Sequence, residues 1–150
     1  MRESSAPGAP APASSVPLCV PELRGNEWKY IKECLDTNWV SSVGSFVDRM
    51  EKSLADYVGT KYAVATVNGT AALHVALLVA GVEPDDEVLV PAMTFIAPVN
   101  AVRYAGAWPV FIDAEPNYWQ MDPEKVGVFL ETRCRLRDGT LVNKTTGRRV

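Results

Sequence analysis

The chain has 150 residues, of which 47% are hydrophobic, and a formal net charge of −3. That length suits one ordinary domain, and the apolar share is ample for a buried core, which excludes a wholly disordered protein. The acidic balance excludes the broad basic footprint of a nucleic-acid binder.

The only dense basic run, Arg133, Arg135, Arg137, Lys144, Arg148 and Arg149, is diluted by Glu131 and Asp138 and reads as the solvated face of a hairpin. Cys19, Cys34 and Cys134 are odd in number and widely spaced, with no CxxC pair. A metal site and a disulfide framework are therefore not expected, and a reducing cytoplasm fits. No apolar run reaches the length of a membrane span, and the N-terminus lacks the plan of a secretory signal.

In chain order, residues 1–17 are rich in Pro, Ala and Ser, with little to bury, and read as a disordered tail. A domain is expected over 18–150. Asn26 can cap a helix in which Trp28, Ile31 and Leu35 share one face. After the polar loop TNWVSSVG, Ser45 with Asp48 resembles a capping box for a second helix, which Gly59 ends. A strand YAVATV (62–67) then runs into Asn68-Gly69. That dipeptide can signal a hairpin, but AALHVALLVAG follows, rich in the best helix formers and without a period of two. The turn is read as strand-to-helix.

The same unit repeats: strand EVLVP and a helix in TFIAPVNAVRYAG, then strand WPVFID and a helix in DPEKVGVFLE with Pro123 at its start. Apolar strands alternating with helices predict an α/β fold, a mostly parallel sheet with helices on both faces. Asp138-Gly139 predicts a β-hairpin in the last segment. The ending Arg-Arg-Val, without cap or closing helix, reads as cut short.

In such a sheet, ligands bind outside the carboxyl ends of the strands. Thr70 and Ala71 stand there, at a helix start whose N–H groups carry partial positive charge. Gly69 would let the backbone turn tightly, Thr70 adds a hydroxyl, and Ala71 is small. The set is either a phosphate seat or a plain N-cap. Phe95, past the next strand, is either a core residue or a ring lying flat on a bound planar ligand.

The run from WVSSVGSFVDRM through NGTAALHVALLVAG and VPAMTFIAPVNAV to WPVFIDAEP resembles the DegT/DnrJ/StrS-type nucleotide-sugar aminotransferases. These are fold type I enzymes dependent on pyridoxal 5′-phosphate (PLP), and the chain resembles the N-terminal portion of their large domain. The flavour of PELRGNEWKY and of the RDGTLVNKTTGRRV insertion is similar to a branch associated with legionaminic-type sugars. The resemblance implies that Thr70 and Ala71, with Gly69 before them, hold the cofactor phosphate. It also implies that Phe95 stacks on the pyridine ring and that Ser41 and Ser42 lie near cofactor and sugar substrate. His74 reads as a packed core residue, and Asp113 as serving a turn.

Transamination on PLP needs a Schiff-base lysine, an acid at the ring nitrogen and donors for the phosphate. None of the six lysines, Lys29, Lys32, Lys52, Lys61, Lys125 and Lys144, is expected at a strand end beside the ring site. In the family the lysine and the acid come later in the chain. The resemblance therefore implies a fragment with no catalytic residue of its own. The complete enzyme would move an amino group from glutamate to a nucleotide-linked keto-deoxysugar as a homodimer. Two other readings stand beside it: a non-catalytic flavodoxin-like module binding a phosphate ligand through Thr70 and Ala71, and an inactive product of a partial gene.

Overall fold

The computed structural model describes residues 16, 17 and 19–150. The tail expected to be disordered, 1–17, lies outside the described residues except for Val16 and Pro17. The described chain forms two compact units, one up to Tyr62 and one from Ala63 to Val150.

The first unit holds helices α1 (Glu27–Asp36) and α2 (Ser45–Val58). Asn26 precedes α1, but its side chain makes no cap hydrogen bond. The capping box at Ser45 is also not formed. Gly44 holds the cap position and its carbonyl accepts the N–H groups of Val47 and Asp48 at 3.0 and 3.2 Å. Ser45 is already the first helical residue, one place too late for its hydroxyl to cap. Gly59 closes α2 in the left-handed region, with φ 73°, as expected. The ring of Tyr30 packs at 5.1 Å on that of Phe46, and Arg49 donates to the Tyr30 hydroxyl at 2.8 Å while lying over its ring. Trp28, Ile31 and Leu35 are exposed.

The second unit is built on a parallel pair, β1 (Glu87–Pro91) and β2 (Trp108–Ile112), in the register Glu87↔Trp108 to Pro91↔Ile112. Helix α4 (Ile96–Tyr104) connects them and packs on both strands, and α3 (Gly69–Val79) packs on α4. Val90, Val102 and Ala107 form the core, with Leu77, Val82, Val88 and Val99 against it. Val102 is only 2% exposed, and burying such a side chain contributes about 1.5–3 kcal/mol. Gly106 lets the chain reverse between α4 and β2 with φ 77°.

The expected strand at 62–67 is not a strand of either sheet. Strand character belongs to a pair, and β1 and β2 pair with each other. Helix α3 is apolar nearly all round, yet Leu73, Val75, Leu78 and Val79 are exposed, which is unusual for so hydrophobic a helix.

Helix α5 (Pro123–Arg133) starts with Asp122 accepting the N–H groups of Glu124 and Lys125, and with proline at its first turn. The final segment is the expected hairpin, β3 (Cys134–Arg137) and β4 (Thr140–Asn143), antiparallel around Asp138-Gly139 with φ 51° and 79°. Both positive φ values match a type I′ turn.

The basic run is not wholly a solvated face. Arg149 forks onto the carboxylate of Asp86, and the guanidinium groups of Arg148 and Arg103 lie 4.7 and 4.2 Å from the centre of the Trp108 ring. Glu87, 5% exposed, accepts from Asn143 Nδ2 at 2.7 Å and Thr146 Oγ1 at 2.6 Å. Its own N–H reaches the carbonyl of Arg149 at 2.7 Å. The last residues therefore dock on the amino end of β1.

Candidate cofactor phosphate site

Asn68 sets the start of α3. Its backbone is extended, with φ −166° and ψ 171°, and its side-chain oxygen accepts the N–H of Ala71 at 2.9 Å. Its carbonyl accepts from Ala72 at 3.1 Å and from the Thr66 hydroxyl at 3.0 Å. Two amides of the first turn remain, those of Gly69 and Thr70, and neither has an acceptor among the described residues. A helix start with two unsatisfied N–H groups favours an anion through its dipole and its donors.

The roles within the expected trio shift accordingly. The N–H of Ala71 is spent on the cap, so its remaining contribution is a small side chain. Gly69 does not make a left-handed turn; it is the first helical residue, outside the positive-φ set. A Cβ built on it would meet nothing within 4 Å. Neither backbone strain nor crowding within the chain therefore calls for glycine there.

Thr70 and Ala71 line an open pocket of about 410 Å³ together with Asn68, His74, Asn100 and Tyr104. Thr70 and Ala71 are half-buried in it. His74 is half-buried on the pocket wall rather than sealed in the core, with its ring edge-on to Tyr104 at 5.8 Å. A helical repeat carries this signal, since His74 lies four residues past Thr70 and Tyr104 four past Asn100.

Phe95 does not line this pocket. It stands at the cap of α4, beyond the carboxyl end of β1, and is 84% exposed. Ser41 lines a small hollow of the first unit with Cys34, Trp39 and Phe46, and Ser42 is exposed in the same loop. Asp113 does serve a turn: its side chain accepts from the N–H of Ala114 at 2.9 Å and from Lys125 Nζ at 2.9 Å. The ammonium of Lys125 holds the Asp113 carboxyl below the usual range, and the carboxylate raises Lys125 in turn. An amine held charged in this way is a poor nucleophile.

A profile of the DegT/DnrJ/EryC1/StrS aminotransferase family matches residues 21–136. The chain belongs to that family. Among its relatives, a GDP-perosamine synthase of Caulobacter vibrioides is 46% identical over 120 residues, covering 80% of this chain and 32% of the relative. An aminotransferase structure from Psychrobacter cryohalolentis matches with a TM-score of 0.67 at 34% identity, over 72% of this chain and 28% of that one. NtdA from Bacillus subtilis, solved with bound cofactor PMP, matches with a TM-score of 0.62 at 35% identity, over 67% and 23%. The chain thus spans about a third of the length of the curated relatives it matches.

The DegT/DnrJ/EryC1/StrS family is PLP-dependent, and the α/β architecture of the second unit is that of part of its fold. Among the described residues, no helix is long and apolar enough to cross a membrane.

Proposed function

We propose that this chain is the N-terminal part of the PLP-binding domain of a nucleotide-sugar aminotransferase. The supporting observation is the start of α3, where the Gly69 and Thr70 amides have no acceptor among the described residues and the space beside Gly69 is open. A phosphate ester fits this chemistry, because its oxygens accept from the Gly69 and Thr70 N–H groups and from the Thr70 hydroxyl, and the helix dipole favours the anion. Ala71 leaves room beside it. Phe95 offers a free aromatic face at the carboxyl end of β1 for the pyridine ring, where offset stacking contributes about 0.5–1.5 kcal/mol beyond burial.

PLP, when bound, supplies the electron sink for moving an amino group. The residues of this chain seat and orient it; the covalent lysine and the acid at the ring nitrogen belong to the longer enzyme. Ser41 and Ser42 are assigned to binding of the sugar substrate. The complete enzyme takes its amino group from glutamate, transfers it to a nucleotide-linked keto-deoxysugar, works in the cytoplasm and is a homodimer. The relatives named for GDP-perosamine make a guanosine-linked sugar the first substrate to try.

The test is to incubate the purified chain with PLP, measure retention by equilibrium dialysis, reduce with borohydride and map adducts by mass spectrometry. Retained PLP without a stoichiometric adduct on any one lysine is expected. A single fully modified lysine would show that the chain carries its own covalent anchor and overturn the division of labour proposed here.

A further inference from the structure

Ala92 donates to the carbonyl of Ile112 at 2.7 Å, so the chain leaves β1 and β2 at one edge of the sheet. Phe95 follows from one strand; from the other comes a short excursion, Asp113–Asp122, with Tyr118 and Trp119 at its tip. These two rings are 81% and 61% exposed.

The excursion is closed by its own hydrogen bonds. Ala114 bridges Met121, Glu115 N–H reaches the Gln120 carbonyl at 2.9 Å, and Asp122 N–H reaches the Asp113 carbonyl at 3.0 Å. The Glu115 carboxylate accepts the N–H of Asn117 at 2.8 Å and that of Tyr118, and the first of these bonds is the main reason its acidity is raised. The turn also forces Trp119 to φ 62°, a left-handed conformation that a bulky aromatic seldom adopts. A largely exposed ring held at an unfavourable backbone angle is little stabilised by its own fold, and strain of this kind collects at ligand sites.

Resting on the function proposed above, we infer that the Tyr118–Trp119 turn is the stacking platform for the nucleobase of the sugar-nucleotide substrate. The keto carbon has to meet the cofactor ring, so a platform on the neighbouring strand's loop takes the distal end of the substrate. The turn itself carries no lysine or arginine, and Lys125, which meets its base, is paired with Asp113; this fits an uncharged ring rather than the diphosphate. The side-chain amides of Asn117 and Gln120 have no hydrogen-bond partner among the described residues. Each offers a donor and an acceptor, the mixture found on a base edge. Stacking on an aromatic face tolerates every base, so the hydrogen-bonding amides would supply any preference.

The test is calorimetric titration of the full chain with GDP, UDP and inorganic pyrophosphate. The variants are Trp119→Gly, Trp119→Phe and Tyr118→Ala. Trp119→Gly removes the ring and relieves the backbone, so it keeps the turn. Its nucleotide affinity is expected to fall about 5- to 150-fold, the range set by losing one base stack. Trp119→Phe keeps a stacking face and should stay within about threefold of the parent. Pyrophosphate binding should not respond to any of the three variants.

Unchanged GDP and UDP affinity in Trp119→Gly, or a parent chain that binds neither nucleotide, would overturn the assignment. PLP retention by the same proteins separates the two proposals. Its loss in the parent sinks the cofactor reading, whereas retained PLP with a ring-independent nucleotide sinks only this one.

Discussion

The side-chain oxygen of Asn68 accepts the N–H of Ala71 at 2.9 Å, leaving the amides of Gly69 and Thr70 as the open donors of α3. One residue thereby fixes both where the helix starts and which donors a phosphate can use. The two roles respond differently to substitution. Asn68→Ala should cost about 1 kcal/mol of stability, the usual worth of an N-cap. Asn68→Asp keeps the cap but sets a carboxylate beside the anion site, so stability should hold while PLP affinity falls. Urea unfolding followed by circular dichroism, paired with PLP titration, reads both effects.

Gly69 separates fold from function more sharply. Its backbone is helical and open space surrounds it. Gly69→Ala should therefore leave stability unchanged or raise it by up to about 1 kcal/mol, through a less flexible unfolded chain. The same methyl group intrudes where a phosphate oxygen would approach, so PLP and inorganic phosphate should both bind more weakly. Weaker binding with unaltered unfolding is the expected pair of results.

Gly106 is the opposite case. Its φ is 77°, and an added Cβ would sit 3.2 Å from Cα and Cβ of Pro84. Gly106→Ala should lose about 1–2 kcal/mol from the left-handed penalty alone. Tight contact with a proline ring, which cannot swing aside, adds to that. The urea midpoint should drop without any change in ligand specificity.

The docked C-terminal segment gives a pH dependence. Arg149, hydrogen-bonded to Asp86, holds that carboxyl below its ordinary value. A carboxylic acid with a depressed folded pKa adds stability that is complete above its unfolded pKa, about 3.9, and is lost as pH falls through the folded value. Stability should therefore decline as pH falls through the ordinary carboxylate range and on through the lower folded value, and Asp86→Asn should flatten that decline while lowering stability at neutral pH. Thermal unfolding across the acid range checks this.

The sequence was readable where a feature is local. Pro123 and Asp122 open α5, Gly59 closes α2, and Asp138-Gly139 turns the last hairpin, each through residues within one turn of each other. It was misleading where the signal is local but the register is one residue off, as at Ser45. It was silent where the decisive partner is distant: the 62–67 segment takes no part in the β1–β2 ladder, and Arg149 meets Asp86 across 63 residues of chain. The helix start proposed as a phosphate seat was legible because Asn68, Gly69 and Thr70 are consecutive. The walls supplied by Asn100 and Tyr104 depend on α4 packing against α3, which no short motif announces.

The most direct measurement is a ¹H–¹⁵N spectrum of the labelled chain titrated first with inorganic phosphate and then with PLP. The amide signals of Gly69 and Thr70 are expected to move most, while that of Ala71, engaged by Asn68, moves least among the three. Saturating ligand that leaves Gly69 and Thr70 in place, or that shifts another helix start instead, would contradict the proposed phosphate seat.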